Sequence, residues 1–241
     1  MKENLQKELI NKIRNCLVEW GEENKTLFKE NSSERQLCGS LAQKLKEYLN
    51  DDFRGFYYDV EVNRGFAGGK KIVSMKTGNK DIVMENIFCD LVVHNRGEKN
   101  TSKENLIAIE MKKSSYASKS LKGEYEEELK NNRIADKARL CALTLNPENS
   151  RGYYKVFSFP KPDEGINEEF KSIVNGYQLG VYIELNDTKE EIDSFEVNFF
   201  IDGKCIENLA IEIDIKNKRF NQLKGNRKKI VRDDMKFLFG R

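Results

Sequence analysis

The sequence predicts an α/β fold, a mixed central sheet of about five strands flanked by helices on both faces. Three observations lead there. From Ile87 to Ser114, two apolar, β-branched runs flank a loop rich in Gly, Asn, Ser, Thr and charge, the pattern of a β-hairpin with a long loop. Residues 2–20, 32–49 and 124–145 carry apolar side chains at helical spacing. The apolar run Tyr177–Leu185 follows the third helix, and a strand that returns after a crossover helix runs parallel to the earlier strand.

In order along the chain, Leu5, Leu9, Ile13, Cys16, Leu17 and Trp20 share one helical face, and Gly21 is the expected stop. Residues 22–31 are polar and read as a connection. Ser32 and Ser33 open the next helix. Ser33 with Gln36 is a capping-box pattern, and Leu37, Leu41, Leu45, Tyr48 and Leu49 form the buried stripe. Glu34 lies in the first turn, where the helix dipole favours a carboxylate. That bland role and a role in chemistry are both open at this point.

Residues 56–64 alternate Tyr58, Val60 and Val62 against Asp59, Glu61 and Asn63, which predicts a strand. Gly65 to Lys80, with Gly68-Gly69-Lys70-Lys71, reads as a loop or loose hairpin. It lacks the spacing of a phosphate-binding P-loop. Its lysines are either solvated or contacts to a nucleic-acid backbone.

In the hairpin itself, side chains alternate between faces. Glu110 and Lys112 therefore share one face, and Ile109, Met111 and Lys113 the other. Folding about the loop sets Asp90 opposite residues 110–112. An Asp, a Glu and a Lys then meet at one end of two paired strands. Paired carboxylates suit a hard divalent cation, and a lysine beside them could orient or deprotonate a water. His94, the only histidine, lies about 13 Å along the strand from Asp90 and reads as structural or surface. Arg96 closes the strand as a solvated residue.

The third helix offers Leu129, Ile134, Ala138, Cys141 and Ala142 as core positions. Asp136 and Lys137 lie mid-helix, where most charges face water. Tyr153 to Phe159 reads as a short strand and Lys161 to Gly165 as a turn. Ser194–Ile201 and Leu209–Ile215 are two further strands joined at Asp202-Gly203, a hairpin signal. The segment 216–241 carries ten Lys or Arg against two Asp, interleaved with Phe220, Leu223, Ile230, Val231, Met235 and Leu238. It is expected as a basic amphipathic helix, either docked by its apolar stripe or bound along DNA.

At 241 residues the chain can bury a sizeable core. No repeat or linker divides it, so residues 1–241 read as one domain. Hydrophobic residues make up 38% and charged residues 34%, with a net charge of +2. That balance argues neither for nor against a nucleic-acid partner. No run is long enough for a membrane helix, and the first residues lack the apolar core of a signal peptide. The five cysteines are scattered without zinc-ligand spacing, so reduced thiols in a cytoplasm are expected.

Asp90, a spacer of nineteen residues and Glu110-x-Lys112 resemble the PD-(D/E)xK motif of restriction-endonuclease-like nucleases. Ser33-Glu34-Arg35 at a helix start, Asp59-Val-Glu61-Val-Asn63-Arg64 on a strand, Asp136-Lys137 in a later helix and Gly180–Leu185 on a later strand are similar, in the same order, to a group of small bacterial proteins of that superfamily. The match covers about residues 32–186. It departs where Cys89 stands in place of the motif proline, which bears on local geometry.

The resemblance implies a restriction-endonuclease-like core and a divalent-metal-dependent nuclease that hydrolyses phosphodiester bonds, in DNA first of all. It implies Mg²⁺, with Mn²⁺ as a substitute, held by Asp90, Glu110 and the main-chain carbonyl of Met111. Glu34 would approach the metal, directly or through water. Lys112 would position the attacking water or stabilise developing charge, and Lys137 would be a candidate substrate contact. Two other readings stand beside it: a nucleic-acid-binding module without catalysis, and a defence-system interaction protein with a nuclease-like fold. A homodimer is compatible with either, and no protein partner is identifiable.

Overall fold

The computed structural model describes residues 2–62, 70–77, 80–86, 88–96, 105–114, 124–144, 154–159, 172–173, 176–187, 191–213 and 220–223. The mixed α/β expectation holds, with a mixed sheet flanked by helices on both faces. Helix α1 (Lys2–Glu23), the short α2 (Lys25–Lys29) and α3 (Glu34–Leu49) precede the first strand. Strands β1 (Tyr57–Val62), β2 (Lys70–Thr77), β3 (Lys80–Asn86), β4 (Cys89–His94) and β5 (Asn105–Lys113) lead into α4 (Glu124–Thr144). Strands β6 (Tyr154–Phe159), β7 (Ser172–Ile173), β8 (Leu179–Asn186), β9 (Ser194–Ile201), β10 (Lys204–Ile213) and β11 (Phe220–Leu223) complete the described chain.

The main sheet has seven strands rather than about five, in the order β1-β4-β5-β8-β9-β10-β11. Strands β4 and β5 pair antiparallel, with Leu91 opposite Ile109. Strand β8 runs parallel to β5, Glu110 facing Tyr182, as the intervening α4 requires. The extra strands come from the C-terminal half. Strand β10 is longer than residues 209–215, and Phe220–Leu223 adds to its edge as a strand where a helix was expected. Those four residues belong to the basic segment 216–241, whose remainder lies outside the described residues. So do Gly68-Gly69, the turn 161–165 and the hairpin loop 97–104.

A second antiparallel sheet, β3-β2-β6-β7, was expected only in β6 and in the loose hairpin that residues 65–80 offered as an alternative to a loop. Its first strands use Lys70, Lys71, Lys76 and Lys80. Those charges interrupt the alternation that marks a strand in sequence.

Two apolar layers sandwich the main sheet. Leu9, Ile13, Leu17 and Trp20 of α1 and Leu37, Leu41 and Leu45 of α3 pack with Leu91, Val93, Ile107, Ile109 and Met111. On the other face Leu140, Cys141 and Leu143 of α4 pack with Val92, Ala108, Tyr182 and Phe200. A strand covered on both faces needs apolar residues on both, so β5 and β8 read as nearly continuous hydrophobic runs.

Gly21 does not stop α1, which continues to Glu23. Tertiary packing overrides the helix-ending tendency of glycine here. The Trp20 ring lies edge-on to Phe28 and Phe195, and its Nε1 donates to Ser40 Oγ at 2.8 Å. Phe28 belongs to α2, so residues 22–31 are not simply a polar connection. The Ser33–Gln36 capping box forms as expected, and it fixes where α3 begins. The turn Asp202-Gly203 takes φ values of 48° and 70°, the left-handed pair that a tight hairpin needs.

Helix α4 approaches the sheet closely at Gly180. A Cβ there would come within 3.0 Å of Thr144 Cγ2 and 3.1 Å of Phe200 Cβ. Gly180→Ala is therefore expected to push α4 away from β8 and cost about 1–3 kcal/mol. A melting temperature equal to wild type would show that α4 is not seated this tightly.

Candidate functional site

The site grows out of a change of hydrogen-bond partner along β5. Successive residues of a strand present their N–H groups to alternate edges. On the edge toward β8, pairing continues to the strand end, where Ser114 N donates to Leu185 O at 2.7 Å. On the other edge the β4 ladder starts at Leu91–Ile109. Past it, the N–H groups of Met111 and Lys113 need other acceptors. Met111 N donates to Asp90 Oδ2 at 2.7 Å. Lys113 N donates to Glu34 Oε1, also at 2.7 Å. Two carboxylates from different elements thus take the place of a neighbouring strand. The Met111 carbonyl leaves the strand on the same edge as its N–H.

The α4 face of the same strand end carries Glu110 and Lys112, as strand parity predicts. Glu110 is 1% exposed. Arg139 Nε donates to its Oε1 at 3.1 Å, and the same guanidinium pairs with Asp136. The Lys112 ammonium stands 3.6 Å from Glu34 Oε2 and 3.8 Å from Asp136 Oδ2. Asp136 Oδ2 is buried without a hydrogen-bond partner, as are Arg133 Nε and Tyr182 Oη. Glu34, Lys112, Lys113, Arg133, Ala135, Asp136 and Arg139 line a cleft of about 360 Å³.

Burial is the largest influence on the charges here. It pushes the Glu110 carboxyl well above its usual range, Asp90 and Asp136 add to the shift, and Arg139 opposes it. Burial raises Asp136 in the same way, against Arg139 and Lys112. For Lys112 burial works to lower the pKa, but Asp136, Glu34, Asp90 and Glu110 together outweigh it and hold the group above the ordinary lysine value. Lys112 is therefore an ammonium at neutral pH. As an ammonium it acts through its charge and its N–H donors. Asp136, Glu34, Asp90 and Glu110 act on Lys112, and Glu110 and Asp136 on Arg139, while Arg133 and Lys113 stand at the same cleft.

Asp90, Glu110, Lys112, Glu34 and Met111 lie around one end of β5. Among the described residues no group of three or more His, Cys, Asp or Glu side chains is arranged to hold a metal ion. Any such ion would rely on two carboxylates and a main-chain oxygen. Lys113 turns toward the connection between α2 and α3, where Asn31 O and Oδ1 hold its ammonium at 2.8 and 2.7 Å. Lys137 is not in the cleft lining. Its ammonium lies 4.7 Å from the centre of the Tyr182 ring.

Sequence reasoning passed over three residues. Asp136 is 2% exposed rather than turned to water, and Arg133 and Arg139 flank it. Their spacing of three, Arg133-Asp136-Arg139, puts three charges on one helix face, and that was the available signal.

His94 sits at the far end of β4, with Nε2 2.9 Å from Asp59 Oδ2. Arg96 is not merely solvated. It forks onto both Asp59 oxygens at 2.8 and 2.5 Å and lies 4.0 Å from the centre of the Tyr57 ring.

Compared with known proteins, the chain matches no family model, no curated protein and no solved structure. No helix among the described residues is long and apolar enough to cross a membrane.

The Asp59 cluster gives a pH test independent of the cleft. Arg96, then His94, hold the Asp59 carboxyl below its usual range, against burial. The folded state thus binds the Asp59 proton less readily than the unfolded chain. Its contribution is present above the unfolded value of about 3.9 and is lost as pH falls through the folded one. Asp59→Asn should cost about 1.5 kcal/mol at pH 7, the scale of a charge-assisted hydrogen bond, and progressively less as pH falls below about 4. Urea titrations across pH check this, and a cost independent of pH would contradict it.

Proposed function

We propose that the protein is a divalent-metal-dependent nuclease with a restriction-endonuclease-like core, hydrolysing phosphodiester bonds, in DNA first of all. One observation carries the reading. Glu34, Asp90, Glu110 and Lys112, drawn from a helix and two strands, meet around the open edge of β5 beside a cleft lined by α4. The order of elements, a helix, a strand, the motif hairpin, a helix and a parallel strand, supports the same reading. Chemistry of a phosphodiester needs positive charge at the phosphate and a held water.

The donor set fits a hard cation. It consists of oxygens only, and the bond from Met111 N to Asp90 Oδ2 at 2.7 Å sets that carboxylate at the edge where the Met111 carbonyl leaves the strand. Asp90, Glu110 and the Met111 carbonyl would hold Mg²⁺ or Mn²⁺, with Glu34 beside them. When bound, the ion supplies Lewis-acid polarisation of the phosphate and lowers the pKa of water. The remaining work falls to the chain. Glu34 and Asp136 hold the Lys112 ammonium from two sides. Held there, Lys112 orients a water by donating to it and stabilises charge that develops on the phosphate.

Two measurements test this reading. Calorimetry with Mn²⁺ should show one site in wild type and its loss in Asp90→Ala, and equal affinity in both would remove the proposed ligand. Lys112→Ala should stay folded, bind Mn²⁺ and a DNA duplex, and lose at least about a hundredfold in cleavage. Lys12→Ala, on α1 and paired through its ammonium with Asp52 beyond the end of α3, should cut like wild type. Full cleavage by Lys112→Ala would contradict its role. Binding of DNA without any cleavage by wild type would favour the non-catalytic nucleic-acid-binding alternative.

A further inference from the structure

The Arg139 guanidinium occupies a place that the proposed nuclease reading leaves unexplained. It bridges Glu110, a proposed metal ligand, and Asp136, a residue of its own helix one turn away. Glu110 is 1% exposed, and a carboxylate that deep cannot stay ionised without a counter-charge. In the present structure Arg139 is that counter-charge. A divalent cation on Glu110 would supply the same charge from the other side. Both cations then crowd one carboxylate, and like charges a few ångströms apart repel strongly in a buried setting. Arg139 has somewhere to go. Its side chain is 22% exposed, it lines the cleft, and Asp136 anchors it by a contact that does not involve Glu110.

Resting on the nuclease reading, we infer that Arg139 and the divalent cation compete for Glu110, and that the guanidinium released from Glu110 becomes the phosphate-binding group of the cleft. The fork of a guanidinium matches two phosphate oxygens at once. Asp136 serves as the pivot. It keeps the fork at the cleft wall in both positions and prevents it from swinging into solvent. Metal loading and substrate capture are then coupled, because the phosphate site is free only after the ion has taken over Glu110. The Lys112 ammonium lies 3.8 Å from Asp136, the pivot, so a phosphate reached by Arg139 would also stand near it.

The proposal makes two expectations of opposite sign. Removing the guanidinium should strengthen metal binding and weaken substrate binding. A merely structural Arg139 would weaken both. The experiment uses the full chain with Arg139→Met and Arg139→Lys. Without added cation, Arg139→Met should melt below wild type, and Mn²⁺ should raise its melting temperature by more than it raises that of wild type. By calorimetry its Mn²⁺ affinity should rise at least about tenfold, because a competing positive charge has left Glu110. In Ca²⁺, binding of a fluorescent DNA duplex should weaken about tenfold, the loss of one charge-assisted hydrogen bond. Should Arg139→Met fold only with Mn²⁺ present, that too supports the competition. Arg139→Lys lacks both the Nε that donates to Glu110 and the fork, so it should bind Mn²⁺ more tightly than wild type and DNA less tightly. Unchanged or weaker Mn²⁺ binding in Arg139→Lys, or unchanged duplex binding, overturns the proposal. If wild type itself binds no divalent cation, the nuclease reading fails first, and the two failures are distinguishable on the wild-type titration alone.

Discussion

Much of this structure depends on two backbone N–H groups that have lost their strand. Past Leu91–Ile109 the β4 ladder no longer serves β5, and the N–H groups of Met111 and Lys113 turn to the carboxylates of Asp90 and Glu34. A buried N–H without a partner is costly, so this edge dictates where the two carboxylates must sit. Glu34 can reach it only because the Ser33 capping box starts α3 at that residue. The contact between Cys38 Sγ and Met111 Sδ, at 3.7 Å, presses the same helix onto the same strand. Acids gathered to satisfy a strand edge are thereby gathered around its carbonyl as well.

The opposite face adds the buried charge. Strand parity sends Glu110 and Lys112 under α4, and α4 answers with Asp136 and Arg139. A buried ionic cluster of this kind stabilises a fold poorly, because desolvation offsets most of the attraction. Apolar residues would serve the α4–β8 contact better, and elsewhere along it Leu140, Cys141 and Tyr182 do so. The cost is concentrated at one strand end, beside the cleft. That localisation is what a site for chemistry looks like, and it gives Lys112 a raised pKa and hence a fixed positive charge.

The site was more legible in the sequence than the sheet around it. Asp90, Glu110 and Lys112 lie on two clean apolar runs, where period-two alternation decides the face of each side chain. The capping box made the start of α3 readable from Ser33 and Gln36. Legibility failed where the local signal was diluted. Strands β2 and β3 carry lysines along their length, and α1 runs through Gly21 because Trp20 is fixed by Phe28, Phe195 and Ser40, contacts remote in sequence. Asp136 and Arg139 were missed for a different reason. A charge in mid-helix faces water in most proteins, and only the tertiary partner Glu110 tells otherwise. Arg96 was misjudged likewise, since its partner Asp59 lies across the sheet on β1.

The central claim is that the acids around β5 and the Lys112 ammonium form a cation-dependent phosphodiesterase. The most direct measurement is a cleavage assay of the wild-type chain on linear duplex DNA, circular DNA, single-stranded DNA and RNA, each with Mg²⁺, Mn²⁺ or a chelator. The account predicts cleavage of at least one DNA substrate with Mg²⁺ or Mn²⁺ and none with chelator. Cleavage that persists in chelator, or no cleavage of any substrate with either ion, would contradict it.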